Sequence, residues 1–253
     1  MKKFLAVISV LFCFSLAYAG LSVDPAVTNI AGEPGSGYNG KYLVKNTYDK
    51  DINVVIEATK GNCFSANKDI DVDKWLVFEK YKYPIPAGET VAIPYTVSIG
   101  EEFKGSISSR INFSVEQEKG QMITISISVP IYVTVSGTEN VDFDIESLNL
   151  YSAGNKISYK LVLENKGNVH IRHSGNIELY TKKKKKLLKN IFVQETVPTY
   201  CEQKREFSDA ILSTSDLKKG KYVAVFKIRA LGNEVTKEIN FKLSKKGDII
   251  IKK

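Results

Sequence analysis

Apolar residues at every second position, turn-forming clusters between them and almost no helical periodicity predict an all-β chain of two immunoglobulin-like β-sandwich domains in tandem. The plainest case is residues 121–135, QMITISISVPIYVTV, where Ile123, Ile125, Ile127, Val129, Ile131, Val133 and Val135 make one apolar row. At ~3.3 Å per residue this run reaches roughly 50 Å, well beyond an average strand. Val129-Pro130 interrupts it. A proline has no N–H to donate, which places this part of the strand at a sheet edge or a bulge. An apolar edge is where another chain can pair.

The remaining elements follow in order. Leu21 and Val23, then Val27 and Ile30, open the first row, and residues 31–37 (AGEPGSG) turn it. Tyr38, Tyr42 and Val44 continue, with Gly40 breaking the row, before the turn at 46–51 (NTYDKD). Ile52, Val54 and Ile56 alternate ahead of a polar stretch, 59–74. Trp75, Val77 and Tyr81 lead into the turn at 84–89 (PIPAGE), and Trp75, the only tryptophan, is read as a core or inter-sheet residue. Val91, Ile93, Tyr95 and Val97 share a face, as do Ile111, Phe113 and Val115; with the long row they make about seven strands, the number of an immunoglobulin-like sandwich. This domain is assigned residues 20–137.

The polar stretch 136–140 (SGTEN) separates it from a second domain, residues 138–253. There Ile157, Tyr159, Leu161 and Leu163 alternate, followed by Ile177 and Leu179, by residues 222–230 (YVAVFKIRA), and by Val235, Ile239, Phe241 and Leu243. The halves echo one another. Tyr42-Leu43-Val44-Lys45-Asn46 matches Lys160-Leu161-Val162-Leu163-Glu164-Asn165, each a strand ending in asparagine, and the chain is read as a duplicated sandwich.

The first residues bear on compartment. Lys2 and Lys3, an apolar run from Phe4 to Leu16 and the triplet Ala17-Tyr18-Ala19 read as a signal peptide, residues 1–19, cleaved at Ala19/Gly20. The apolar run falls short of the ~20 residues that span a bilayer, and Cys13 precedes the cleavage point, so neither an anchor nor a lipoprotein is expected. The expected product is exported, periplasmic or extracellular, and soluble. The net charge of +8, two units of it on Lys2 and Lys3, is basic but not extreme, and nucleic acid is no expected partner of an exported protein. Cys63 and Cys201 alone survive cleavage, which rules out a disulfide-dense scaffold. A bridge between them needs Cα atoms within ~7 Å; they are read as two unpaired or loop cysteines.

Residue chemistry points away from catalysis. His170 and His173 are three apart, on opposite faces of an extended segment, and a catalytic zinc needs three protein ligands, so they are read as surface or turn histidines. No nucleophile-elbow pattern and no phosphate-binding glycine loop occur. Neither an enzyme nor a cofactor or metal is expected. The strongest charge feature, Lys182, Lys183, Lys184, Lys185 and Lys186, falls at a hairpin tip between Leu179 and Leu187. Solvated lysines there discourage edge pairing; their functional reading is weak contact with anionic membrane or envelope polymers.

Leu21-Ser22-Val23-Asp24-Pro25, Val44-Lys45-Asn46, Pro86-Ala87-Gly88-Glu89 and the row from Ile123 to Val135, taken as an ordered set over about residues 21–137, resemble the PapD-like periplasmic chaperones of pilus assembly. The resemblance implies two immunoglobulin-like domains set as a boomerang, with an apolar edge strand that completes the unfinished fold of a pilus subunit. Ile123, Ile125, Ile127 and Val129 match that strand's alternation. The family's basic pair for its client's terminal carboxylate, an arginine in the first strand and a lysine in the long one, is not matched: Val27 and Pro130 stand near those places, with Arg110 on a neighbouring strand. Residues 164–170 (ENKGNVH) resemble a group of secreted bacterial proteins with a chaperone-like first domain, which implies a fold rather than an activity.

Two functional readings result. In the first, an exported chaperone-like or assembly protein binds other exported or surface polypeptides, pilin-like subunits among them, by β-strand addition through Ile123, Ile125, Ile127 and Val129. In the second, a non-enzymatic structural or adhesive envelope module uses the same row as the core of its first sandwich. Alternation supports both.

Overall fold

The computed structural model describes residues 20–60, 67, 70–117, 124–194 and 197–251. In the first half the alternating rows become β1 (Leu21–Asp24), β2 (Thr28–Gly32), β3 (Gly37–Asn46), β4 (Ile52–Lys60), β5 (Leu76–Phe78), β6 (Lys82–Ile85), β7 (Thr90–Ser98), β8 (Gly105–Val115) and β9 (Ser126–Val135). One sheet runs β1-β3-β7-β5 and the other β2-β9-β8-β4-β6. Period two puts Tyr42, Val44, Ile93 and Val97 of the first sheet against Val54, Ile111, Phe113 and Ile131 of the second, all closed to solvent. Trp75 is buried in this core.

The chain changes sheets at two places that the sequence reading left undivided. The first row crosses at Asp24-Pro25, β1 pairing with β3 and β2 running parallel to β9. Of the row from Trp75 to Tyr81 only β5 is strand, beside β7; the chain then moves to the other sheet as β6 beside β4, a strand not expected there, which takes Pro84 and Ile85 from the expected turn. The long row is also shorter than expected: β9 starts at Ser126, and residues 121–123 lie outside the described residues.

The second sandwich comprises β10 (Phe143–Ala153), β11 (Lys156–Asn165), β12 (Ser174–Thr181), β13 (Leu187–Val193), β14 (Lys204–Ser213), β15 (Gly220–Ala230), β16 (Asn233–Leu243) and β17 (Ile249–Ile251). Its sheets are β10-β11-β14 and β13-β12-β15-β16-β17. Leu161, Leu163, Ile177, Phe226 and Ile228 fill the space between them.

The paired asparagines do the same work in both halves. The Asn46 amide donates to the carbonyl four residues on, Lys50, and to Ile85 across the sandwich, while its oxygen accepts from the Tyr48 N–H. The Asn165 amide donates to Val169, again four residues on, and to Thr199, while its oxygen accepts from the Gly167 N–H. Both side chains are wholly buried. Each ties the turn after a core strand to a distant loop by satisfying peptide groups that water cannot reach.

The two sandwiches meet at the start of β8 and on the outer face of β9. Ser106 N–H donates to the Asn168 carbonyl at 2.9 Å, and His170 N–H donates to Ser106 Oγ at 3.2 Å. Tyr132 stacks on His170 at 4.4 Å between ring centres and shares a 3.1 Å hydrogen bond with the Tyr200 hydroxyl. Gly105 sits here at φ +67°, and a Cβ would collide with the Asn168 carbonyl and side chain. Gly105→Ala is therefore expected to open this junction, costing about 2 kcal/mol through combined φ strain and clash. Faster amide exchange at Ser106, with the distal strands unchanged, is the expected signature; unaltered exchange would refute it.

Two readings of the sequence are corrected at this junction. His173 is not a surface or turn histidine: it is buried, edge-on to Phe207 at 4.2 Å, while His170, facing the other way, is covered by Tyr132. Cys201 is not an unpaired loop cysteine either. It is buried beside Tyr132 and Tyr200 and is disulfide-bonded, with its partner outside the described residues. Among the described residues no group of three His, Cys, Asp or Glu could hold a metal ion.

Candidate functional site: an open strand edge beside an interdomain cleft

Strand β9 is half enclosed and half open. Its last five residues, from Ile131, are flanked by β8 on one side and β2 on the other. Before Ile131 only β8 flanks it among the described residues, since β2 begins its pairing at Thr28 with Ile131. Pro130, which needs no acceptor for an N–H, stands where the open stretch ends.

Burial along the row changes in step. Ile131, Val133 and Val135 are closed to solvent, Val129 is 1% exposed and lies in the protein's own core, and Ile127 and Ile125 are half-buried at its margin. Of the residues named from the sequence, Ile125 and Ile127 thus border the open edge, Val129 packs inward, and Ile123 lies outside the described residues.

The backbone shows what that edge offers. Val115 N–H donates to the Ile125 carbonyl, and the β8 register runs from Ser126 to Val135 without a shift. In an antiparallel ladder peptide groups alternate sides, so Ile127 and Val129 also address β8. Ser126 and Ser128 therefore turn both N–H and C=O outward. This is a short unpaired template with an apolar row on its core side, the geometry that strand addition uses.

A cavity lies at each end. Near Ile125, one of about 350 Å³ is lined by Tyr48, Ile52, Pro84 and Val115. Beyond Pro130 an open cleft of about 700 Å³ lies between the two sandwiches, lined by Val27 and Asn29 of the first and by His170, Arg172, Ser174 and Arg229 of the second. The interval between Ile125 and Ile131 is roughly 20 Å of extended chain. The cleft is basic: the Arg172 guanidinium lies 5.6 Å from the centre of the Tyr132 ring, and the exposed Arg110 stands directly across the ladder from Pro130. Burial, and then the neighbouring Tyr200 hydroxyl, push the Tyr132 hydroxyl up to about 12, so it is a neutral hydrogen-bonding group there. Arg172 and the Tyr132–Tyr200 pair could not be foreseen, since they meet only when the domains dock.

Fold and site together describe a two-sandwich β protein with one partly unpaired central strand running into an interdomain cleft. The sequence matches no family model and no curated protein. Among solved structures the chain is similar to the class 5 fimbriae chaperone CfaA, with 15% identity, 92% of this chain and 99% of that one covered, and a TM-score of 0.48. It is also similar to a chain of the CsuC–CsuE chaperone–tip subunit pre-assembly complex of Acinetobacter baumannii (16% identity, 87% and 98% covered, TM-score 0.46) and to the E. coli chaperone DraB (17%, 87% and 96%, TM-score 0.43).

Proposed function

We propose that this is an exported, chaperone-like protein that binds other exported polypeptides by adding one of their strands to the open edge of β9. The observation that carries the reading is the outward-facing peptide groups of Ser126 and Ser128 beside half-buried Ile125 and Ile127. Export rests on residues 1–19 as a signal peptide; no described helix is long and apolar enough to cross a membrane. A strand laid on this edge would complete burial of the two isoleucines, each worth under about 1 kcal/mol for the third or less still exposed. Its end would enter the cleft near Arg110 and Arg172, where an acidic terminus would be favoured. The second reading, a structural envelope module, draws on Val129 and Ile131, which lie in the protein's own core.

Ser128→Pro separates the two. The Ser128 N–H faces outward, so its removal breaks no bond to β8 while the proline ring blocks an incoming strand. We expect a melt within about 1 kcal/mol of the parent, as for a surface change, with loss of the exported polypeptides that the parent retains from the envelope fraction. Ile125→Asp should also lose them, at a greater cost in stability because Ile125 packs against the margin of the core. If the parent retains nothing, or if Ser128→Pro retains as much, strand addition fails and the structural module stands.

A further inference from the structure

The end of the second sandwich farthest from the cleft gathers three lysine-bearing turns that are remote in sequence. Thr181 of β12 pairs with Tyr222 of β15, and Gly220 of β15 pairs with Leu243 of β16. The turns at 181–189, 214–222 and 242–248 therefore lie side by side across adjacent strands, ~5 Å apart per strand. Lys182, Lys183 and Lys185 border one shallow cavity with Lys221, and Lys219 borders the next with Lys245 and Lys246. These segments hold twelve lysines against two aspartates, ten net positive charges where the whole chain has +8, so everything else is net negative. Isolated solvated lysines would not sort themselves to one pole of the molecule.

We propose that this pole is a docking face for an anionic phospholipid surface. Nothing at the pole is built for one discrete anion: the turns carry no arginine for bidentate recognition, and the cavities are open. Lys184 pairs with Glu238 and Lys189 with Asp216, but lysine charge spread over a broad face suits a diffuse surface potential, to which a lysine that faces the membrane adds about 1 kcal/mol. Leu187, 47% exposed beside the lysines, supplies apolar surface at the same tip. Strand β12 runs from Ser174 at the cleft to Thr181 at the pole, roughly 25 Å, so a molecule docked by this face keeps the cleft and the open edge of β9 clear of the membrane. This inference does not depend on strand addition.

Co-sedimentation tests it, using the chain from Gly20, which contains every described strand, and vesicles of phosphatidylcholine alone or with 30% phosphatidylglycerol by composition. Binding is expected only to the anionic vesicles in 0.1 M salt, with release in 0.5 M salt as the Debye length shrinks from about 10 Å. Changing Lys182, Lys183, Lys185 and Lys186 to glutamine, or Lys218, Lys219, Lys245 and Lys246, should each weaken binding at least tenfold with unchanged melts. The same loss of charge at Lys41, Lys45, Lys74 and Lys80 of the first sandwich should leave binding within twofold. Equal weakening by that control would show an effect of net charge alone and overturn the assignment. So would failure to bind anionic vesicles, or tighter binding to soluble polyphosphate than to them.

Discussion

Asn165→Asp is expected to remove about 4 kcal/mol or more, a large part of the stability of an ordinary domain. The substitution keeps shape but exchanges the amide that donates to the Val169 and Thr199 carbonyls for oxygens that repel them. A carboxylate buried there has no cation beside it among the hydrogen-bond partners of Asn165, so it must either protonate or unfold the turn. Asn46→Asp should cost a similar amount, because Asn46 holds the carbonyls of Lys50, Ile85 and Pro86 in the same way. Urea denaturation at pH 7 measures both. The Asp variants should recover part of the loss near pH 4, where a protonated carboxyl can donate one bond; a cost below 1 kcal/mol at either site would mean that water reaches these carbonyls.

Acidification is expected to destabilise the protein in a window set by its two histidines. Burial holds His173 down to about 4, and burial together with the nearby Arg172 charge holds His170 to about 4, against 6.5 in the unfolded chain. Between these values the unfolded chain binds more protons than the folded one, so stability falls as pH drops from about 6.5 and levels off near 4. From pH 7 to pH 4.5, His173 alone should account for about 2–3 kcal/mol, with less from half-buried His170. Glu178, held low by hydrogen bonds from Lys227 and Tyr180, adds a loss in the same direction that begins at the acid end of this window, as the unfolded carboxyl takes up its proton, and continues below it. Urea midpoints followed across the range should show the slope, and His173→Leu should flatten it whatever its own stability. A parent profile flat between pH 6.5 and 4.5 would show that both rings stay accessible to protons.

Alternation was read correctly wherever a strand kept one face inward, as in β4, β7, β11 and the second half of β3, whose Tyr38 is exposed. It failed where geometry interrupts the period. In β10 a bulge between Ile145 and Ser147 shifts the inward row from Phe143 and Ile145 to Leu148 and Leu150, which hides a strand of eleven residues. A second bulge shifts the pairing of β11 with β14, a strand largely exposed on both faces. The matching asparagines were visible as letters; that each satisfies carbonyls of a turn and of a distant loop was not.

Composition and period two determined the fold class of this protein, since the side-chain alternation of a strand is a local property and one buried face is enough to write it into the chain. Which part of the row from Ile123 to Val135 is core and which is open edge was decided only in three dimensions. That choice depends on where β2 stops pairing beside it, and strand pairing is a contact between residues about a hundred positions apart. The same holds for the junction of Tyr132 with His170 and Tyr200, for the burial of His173, for the disulfide at Cys201 and for the three lysine turns at one pole. Each is made by residues that no periodicity links, brought together because the sheets must close over their apolar faces.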